Sequence, residues 1–166
     1  MDNLINLLRE NGIILESRII NNINLQIKNK LLYTHLSLLL TYDNRIISYG
    51  INKINNDKIH TIHSEIELLN NYKRLYKNGN ITKQISKKNK KLIIIRLSKT
   101  LNIGYSKPCL NCIKIIKKNL EYLNISEIHY TNNESNLIKL NYLDLNNLNL
   151  FKFSSSFRIR NNNIIV

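Results

Sequence analysis

The sequence predicts an α/β domain, and three stretches carry that prediction. Leu92–Leu97, read Leu-Ile-Ile-Ile-Arg-Leu, is the most apolar short run of the 166 residues, as a strand buried on both faces requires. On either side of it, apolar residues recur at helical spacing. The first set is Ile62, Ile66, Leu69, Tyr72 and Leu75 or Tyr76, and the second is Cys112, Ile113, Ile116, Leu120 and Leu123.

Taken in order, Asp2–Asn11 reads as a short amphipathic helix with Leu4, Leu7 and Leu8 on one stripe. Asp2 is its candidate cap and Gly12 its stop. It is expected to cover one face of a sheet. Residues 13–30 mix Ile with Asn and Lys, and the reading leans towards a helix over Ser17–Lys28. Leu32–Tyr42 and Arg45–Tyr49 are strands joined at Asp43-Asn44, a hairpin that Gly50-Ile51-Asn52 ends. His35 is expected in the core or at an edge. Beyond Asn78-Gly79-Asn80, a Lys-rich loop or frayed helix runs to Lys91. Leu92–Leu97 leads through a loop to Ser106 and the second helix, Ile125–Tyr130 is the next strand, and Leu137–Leu145 reads as a strand or a short helix. Ser154–Arg160 is polar and basic, either returning to a site or forming a tail, and 161–166 is expected to fray.

The two helical stretches begin with the residues that carry chemistry. His63-Ser64-Glu65 opens one, and Pro108-Cys109-Leu110-Asn111-Cys112 opens the other, holding both cysteines and the single proline of the chain. Cysteines three apart in a first helical turn share a face. The free N–H groups there favour thiolate over thiol, and Pro108 suits the boundary because its missing N–H costs nothing. One imidazole and two thiolates make three metal ligands, and a catalytic zinc keeps its fourth position open. Glu65 is then a spare carboxylate beside that position. Three other readings compete: a redox Cys-x-x-Cys, which leaves His-x-Glu unexplained; a closed structural zinc site completed by His60; and ordinary buried residues.

Length and composition set the frame. At this size the chain is one domain, 1–166, with room for a real core. It has no apolar run near the ~20 residues a membrane span needs and no signal-peptide layout at its start. The expectation is a soluble, cytoplasmic protein without membrane contact, in a reducing compartment that keeps both thiols free. Asn occurs 30 times, Ile 29 times and Ala never, a bias of the kind an AT-rich coding sequence produces. Between Leu68 and Leu120 there are 14 Lys plus Arg and no acid, which equals the whole net charge of +14. Such a stretch attracts phosphate on a nucleotide or a nucleic acid, or is a solvated face set by codon usage.

The order of elements, with Gly50-Ile51-Asn52 after a hairpin, His63-x-Glu65 opening a helix, and Pro108-Cys109-x-x-Cys112 opening another, resembles the cytidine deaminase-like superfamily over about Leu32–Tyr130. The resemblance implies a three-layer α/β/α sandwich around a five-stranded mixed sheet. It implies zinc as cofactor on His63, Cys109 and Cys112, Glu65 as acid/base, and substrate contacts from Asn52, Ser64, Tyr105 and Pro108. Ser64 stands where members often carry Ala. The Arg-Gln that follows the second Cys in many free cytidine deaminases is absent, and the run from Cys112 through Ile128-His129-Tyr130 looks more like deoxycytidylate and tRNA-adenosine deaminases. The implied reaction is hydrolytic deamination of a cytosine nucleoside or nucleotide. The alternatives are a nucleic-acid editing deaminase and a non-catalytic zinc-stabilised nucleic-acid-binding domain. Members often assemble, which leaves a homo-oligomer open.

Overall fold

A computed structural model describes residues 1–28, 33–54 and 61–152. His60, the segment 154–160 and the tail 161–166 lie outside the described residues. The chain runs α1 (Asp2–Glu10), α2 (Ser17–Lys28), β1 (Tyr33–Thr41), β2 (Ile46–Ile51), β3 (Lys53–Ile54), β4 (Thr61–Ile62), α3 (Ser64–Lys77) and α4 (Lys83–Lys87). It continues through β5 (Lys90–Ser98), β6 (Ile103–Gly104), α5 (Leu110–Leu123), β7 (Ile125–Thr131), β8 (Leu137–Leu140) and α6 (Tyr142–Asn146), with a 3₁₀ turn at Leu148–Leu150.

The main sheet has the order β2-β1-β5-β7-β8, with the short β6 added to β5. It is mixed: β5 and β7 are parallel, while β1 pairs antiparallel with both β2 and β5, and β8 antiparallel with β7. The parallel pair needs a crossover, and α5 supplies it. Because side chains alternate along a strand, the register Leu38↔Ile93 and Leu39↔Leu92 sorts the apolar residues into two cores. Leu36, Leu38, Leu40, Ile93, Ile95 and Leu97 pack against Leu4, Leu8, Ile19 and Ile23 of α1 and α2. Leu39, Leu92, Ile94, Ile128 and Leu140 pack against α3 and α5 through Leu68, Leu69, Tyr72, Ile113, Ile116 and Leu120. The result is the expected α/β/α sandwich around a five-stranded mixed sheet, with a run of β5 side chains buried on both faces, each worth ~1.5–3 kcal/mol relative to exposure.

Several local readings need correction. Asp2 lies inside the first turn of α1, after the N-cap Met1, and its side chain makes no cap bond; its carboxylate still suits the positive helix end. β2 runs two residues past Tyr49 to end at Ile51, inside the Gly50-Ile51-Asn52 triplet, and α3 packs directly on the Gly50 backbone. Leu137–Leu145 holds both a strand and a helix, β8 and then the start of α6. The Lys-rich stretch contains α4, capped by Thr82 Oγ1, which accepts from Ile85 N–H at 3.3 Å. No helix among the described residues is long and apolar enough to cross a membrane.

Candidate metal centre

Two helix starts meet at one end of the sheet. His63 is the N-cap of α3 with extended backbone, φ −71° and ψ 150°, and Cys109 is the N-cap of α5 with φ −73° and ψ 164°. Neither side chain makes the usual cap bond to its helix, and both donor atoms turn instead towards the cluster. Cys112, three residues into α5, is buried. Cys109 is therefore the cap residue itself, one position before the first turn in which the sequence placed it.

His63 Nδ1 lies 3.2 Å from Cys112 Sγ and 3.6 Å from Cys109 Sγ. All three donor atoms fall within 4.8 Å of one another. A tetrahedral ion bonded at about 2.1 Å to nitrogen and about 2.3 Å to sulfur spaces its corners by roughly 3.6–3.8 Å. The two nitrogen–sulfur distances stand near that separation and the whole set is within reach of one centre, so the cluster can hold a metal ion. Among the described residues no fourth His, Cys, Asp or Glu joins it.

The walls fix this geometry. A Cβ built on Gly50 would lie 2.1 Å from Ser64 O and 2.3 Å from Leu68 N, so glycine alone lets α3 approach β2 this closely. Ser37 and Ser64 share a buried hydroxyl bond of 2.7 Å, and Ser48 Oγ donates to Leu68 O at 3.2 Å. On the other side, Ser106 is clamped between β5 and β7: its Oγ donates to Ile94 O at 2.6 Å and accepts from Thr131 N–H at 2.7 Å. Pro108 is buried beside it. The chain then returns, and Leu110 N–H donates to Lys152 O at 2.9 Å, which satisfies one open donor of α5.

Without metal, the two thiols divide one proton. The Cys112 thiol and the neighbouring His63 hold Cys109 down to about 4, in the thiolate form. Cys112 is pushed up because its thiol donates to Cys109 and is buried. His63 is raised by its hydrogen bond to Cys109. Glu65, 5% exposed, is raised by burial; its carboxyl adjoins Cys112 and accepts from Ser64 Oγ at 3.2 Å.

The other expected site residues fall into two groups. Tyr105 is 42% exposed, edge-on to Tyr130 with ring centroids 5.7 Å apart, on the loop that ends at Pro108 and Cys109. Ser64 is fully buried, and its hydroxyl is spent on Ser37 and Glu65. Asn52 uses its whole amide on β1: Oδ1 accepts from His35 N–H at 2.7 Å and Nδ2 donates to Tyr33 O at 3.1 Å. Sequence reasoning missed Ser37, Gly50 as a packing residue, Ser106 and Lys152. No short-range pattern flags them, because each acts across strands distant in sequence.

A cleft of about 450 Å³ lies elsewhere, at the free edge of β2, lined by Arg18, Arg45, Tyr49, Asn71 and Arg74 among others. It contains none of the cluster residues. The chemistry of the donors, not cleft size, locates the site.

No family model matches the chain, and no curated protein matches it. Among solved structures it is similar to the cytidine deaminase from Burkholderia pseudomallei, at 14% identity, covering 79% of this chain and 96% of that one, with a TM-score of 0.46. It is also similar to the cytidine deaminase from Mycobacterium tuberculosis (14%, 84% and 98%, TM-score 0.42) and to the dCMP deaminase from the cyanophage S-TIM5 (13%, 84% and 98%, TM-score 0.39). Likenesses this distant decide nothing about substrate. On its own geometry the chain sets a His-Cys-Cys cluster at two helix starts beside a mixed sheet between helical layers, the arrangement that the sequence resemblance implies.

Proposed function

We propose that the chain is a zinc-dependent hydrolytic deaminase of a cytosine nucleoside or nucleotide, with His63, Cys109 and Cys112 as zinc ligands and Glu65 as the proton carrier. The observation that carries this reading is the buried Glu65 carboxyl, which adjoins the three-donor cluster without belonging to it. A structural zinc site has no use for such a group. Zinc held there would supply a Lewis acid able to make water nucleophilic at neutral pH.

Glu65 takes a proton from the attacking water as its oxygen bonds C4 of cytosine and passes it to ring N3, then takes the second proton from the new C4 hydroxyl and passes it to the departing amine. The C4–N bond breaks, leaving uracil and ammonia. Burial suits Glu65 to this relay, because it raises the carboxyl above its usual range and makes it a stronger proton acceptor. Ser64, bonded to Glu65 and braced by Ser37, orients the carboxyl. Tyr105 offers an exposed ring to the substrate and Pro108 fixes the turn into Cys109. Asn52 holds the start of β1 through its bonds to Tyr33 and His35.

The basic stretch favours a phosphorylated substrate over a free nucleoside, and a small molecule over a polymer. Lys73, Lys77, Lys83 and Lys87 lie on the far half of α3 and on α4, away from the helix starts, so the lysines do not form one continuous groove around the cluster. The test is ammonia release by the zinc-loaded chain from deoxycytidylate, deoxycytidine, adenosine, single-stranded DNA and tRNA. Deoxycytidylate is expected to give the highest kcat/KM. Activity confined to polynucleotides, with log affinity falling by about 0.7 per phosphate for each unit of log salt, overturns the small-molecule assignment.

A further inference from the structure

The substrate phosphate needs a cation on the same side of the sheet as the cluster and near the helix starts, and Arg96 stands at that end of β5. Arg96 stands opposite His35 in the β1–β5 register, two residues beyond the Ser37↔Ile94 pair. Side chains two apart on a strand share a face. Arg96 therefore shares its face with Ser37, whose hydroxyl touches Ser64 at the start of α3, and lies about 7 Å further towards the carboxyl end of β5. Open α/β sheets bind ligands at that end, and the chain passes from there through Tyr105 to Cys109.

The guanidinium is held by stacking and, among the described residues, has no ion-pair partner. It lies over the Tyr33 ring at 3.7 Å, half-buried, and its stem runs beside Gly104, where a Cβ would come 3.9 Å from Arg96 Cδ. Stacking uses the face of a guanidinium and leaves its N–H edges free for a phosphate fork. The arginines of the β2-edge cleft differ: Arg18 and Arg45 already pair with Glu16 and Asp43, and Arg74, in the last turn of α3, donates to Asn71 Oδ1 at 3.3 Å. Lys107, the nearest lysine in sequence to Cys109, rests its ammonium 4.9 Å from the Phe151 ring centroid.

We infer that Arg96, presented by Tyr33, binds the 5′-phosphate of the substrate and makes a nucleoside monophosphate the preferred substrate class. This rests on the deaminase reading above. The test measures calorimetric binding of the reaction products, deoxyuridine monophosphate and deoxyuridine, to the zinc-loaded parent, Arg96→Gln and Arg96→Lys, alongside kcat/KM for deoxycytidylate and deoxycytidine. The parent should prefer the phosphorylated member of each pair by at least ~10-fold, the range of a charge-assisted hydrogen bond. Arg96→Gln should lose most of that preference, and Arg96→Lys should keep a part. A parent without the preference, or an Arg96→Gln chain that retains it, overturns the assignment. If Arg96→Gln fails to fold by thermal melt, the lysine variant decides: a preference undiminished in Arg96→Lys refutes the fork. A parent that deaminates neither cytosine compound sinks the deaminase reading instead, whereas turnover with an unchanged preference in Arg96→Gln sinks only the role of Arg96.

Discussion

Replacing Gly50 by Ala tests how the site is built. In a strand interior this change ordinarily stabilises by ~0.5–1 kcal/mol, because Ala has less freedom to lose. Here the new Cβ would lie 2.1 Å from Ser64 O, 2.3 Å from Leu68 N and 2.9 Å from Leu68 Cα, all backbone atoms that cannot rotate away. Restoring even a 3.0 Å contact moves the first turns of α3 outward by about 0.9 Å. That shift strains the Ser37–Ser64 hydroxyl bond and the Ser48–Leu68 bond, each worth ~1 kcal/mol. With an overpacking cost of ~1–3 kcal/mol, the net loss is about 3 kcal/mol, or a Tm lower by roughly 6–12 °C for a chain of this size. His63 caps α3 and moves with it, while Cys109 and Cys112 stay on α5. Metal distances tolerate only about 0.2 Å, so zinc affinity should fall at least ~10-fold. Urea melts and zinc competition with a chromogenic chelator measure both effects. A Gly50→Ala chain with the parent's stability and zinc affinity would refute the close approach of α3 and β2.

Other outcomes follow from single residues. His35 is held down to about 4 by burial and by Arg96, so the unfolded chain binds an extra proton between about pH 6.5 and 4. Stability should be full above pH 6.5 and decline by up to about 3 kcal/mol as pH falls through that window; urea melts of His35→Asn should show a flatter profile there, and an unchanged slope contradicts the burial. Tyr72 is buried with no hydrogen-bond partner for its hydroxyl among the described residues. Tyr72→Phe should therefore melt at or above the parent temperature, and a loss of 1 kcal/mol or more would reveal a partner. Cys112→Ser should lose stoichiometric zinc by metal analysis, whereas retention points to a different ligand set.

Much of this site was legible in the sequence because its parts are local. His63-x-Glu65 and Pro108-Cys109-x-x-Cys112 each sit in one helix start, and helical periodicity after each motif places that start within a residue or two. The strand Leu92–Leu97 was equally plain, since burial on both faces leaves an unbroken apolar run. What stayed hidden depends on contacts between distant segments. Lys90 reads as a solvated cation, yet it is fully buried, because its ammonium bonds the Ser86 and Lys88 carbonyls at 2.7 Å each. Nothing in its neighbours announces that. Asn52 reads as a residue free to meet a ligand, but a strand end leaves backbone groups that its amide satisfies, so its role is set by β1 and not by its own loop. Leu137–Leu145 resisted assignment because two short elements meet inside a single apolar run.

The central claim is that Glu65 carries protons beside a zinc held by His63, Cys109 and Cys112. Ammonia release from deoxycytidylate by the zinc-loaded parent and by Glu65→Gln, with zinc content determined on the same samples, addresses it directly. The account predicts one zinc per chain in both proteins and turnover at least ~10²-fold lower in Glu65→Gln. Turnover by Glu65→Gln near the parent rate, with zinc still bound, would contradict it.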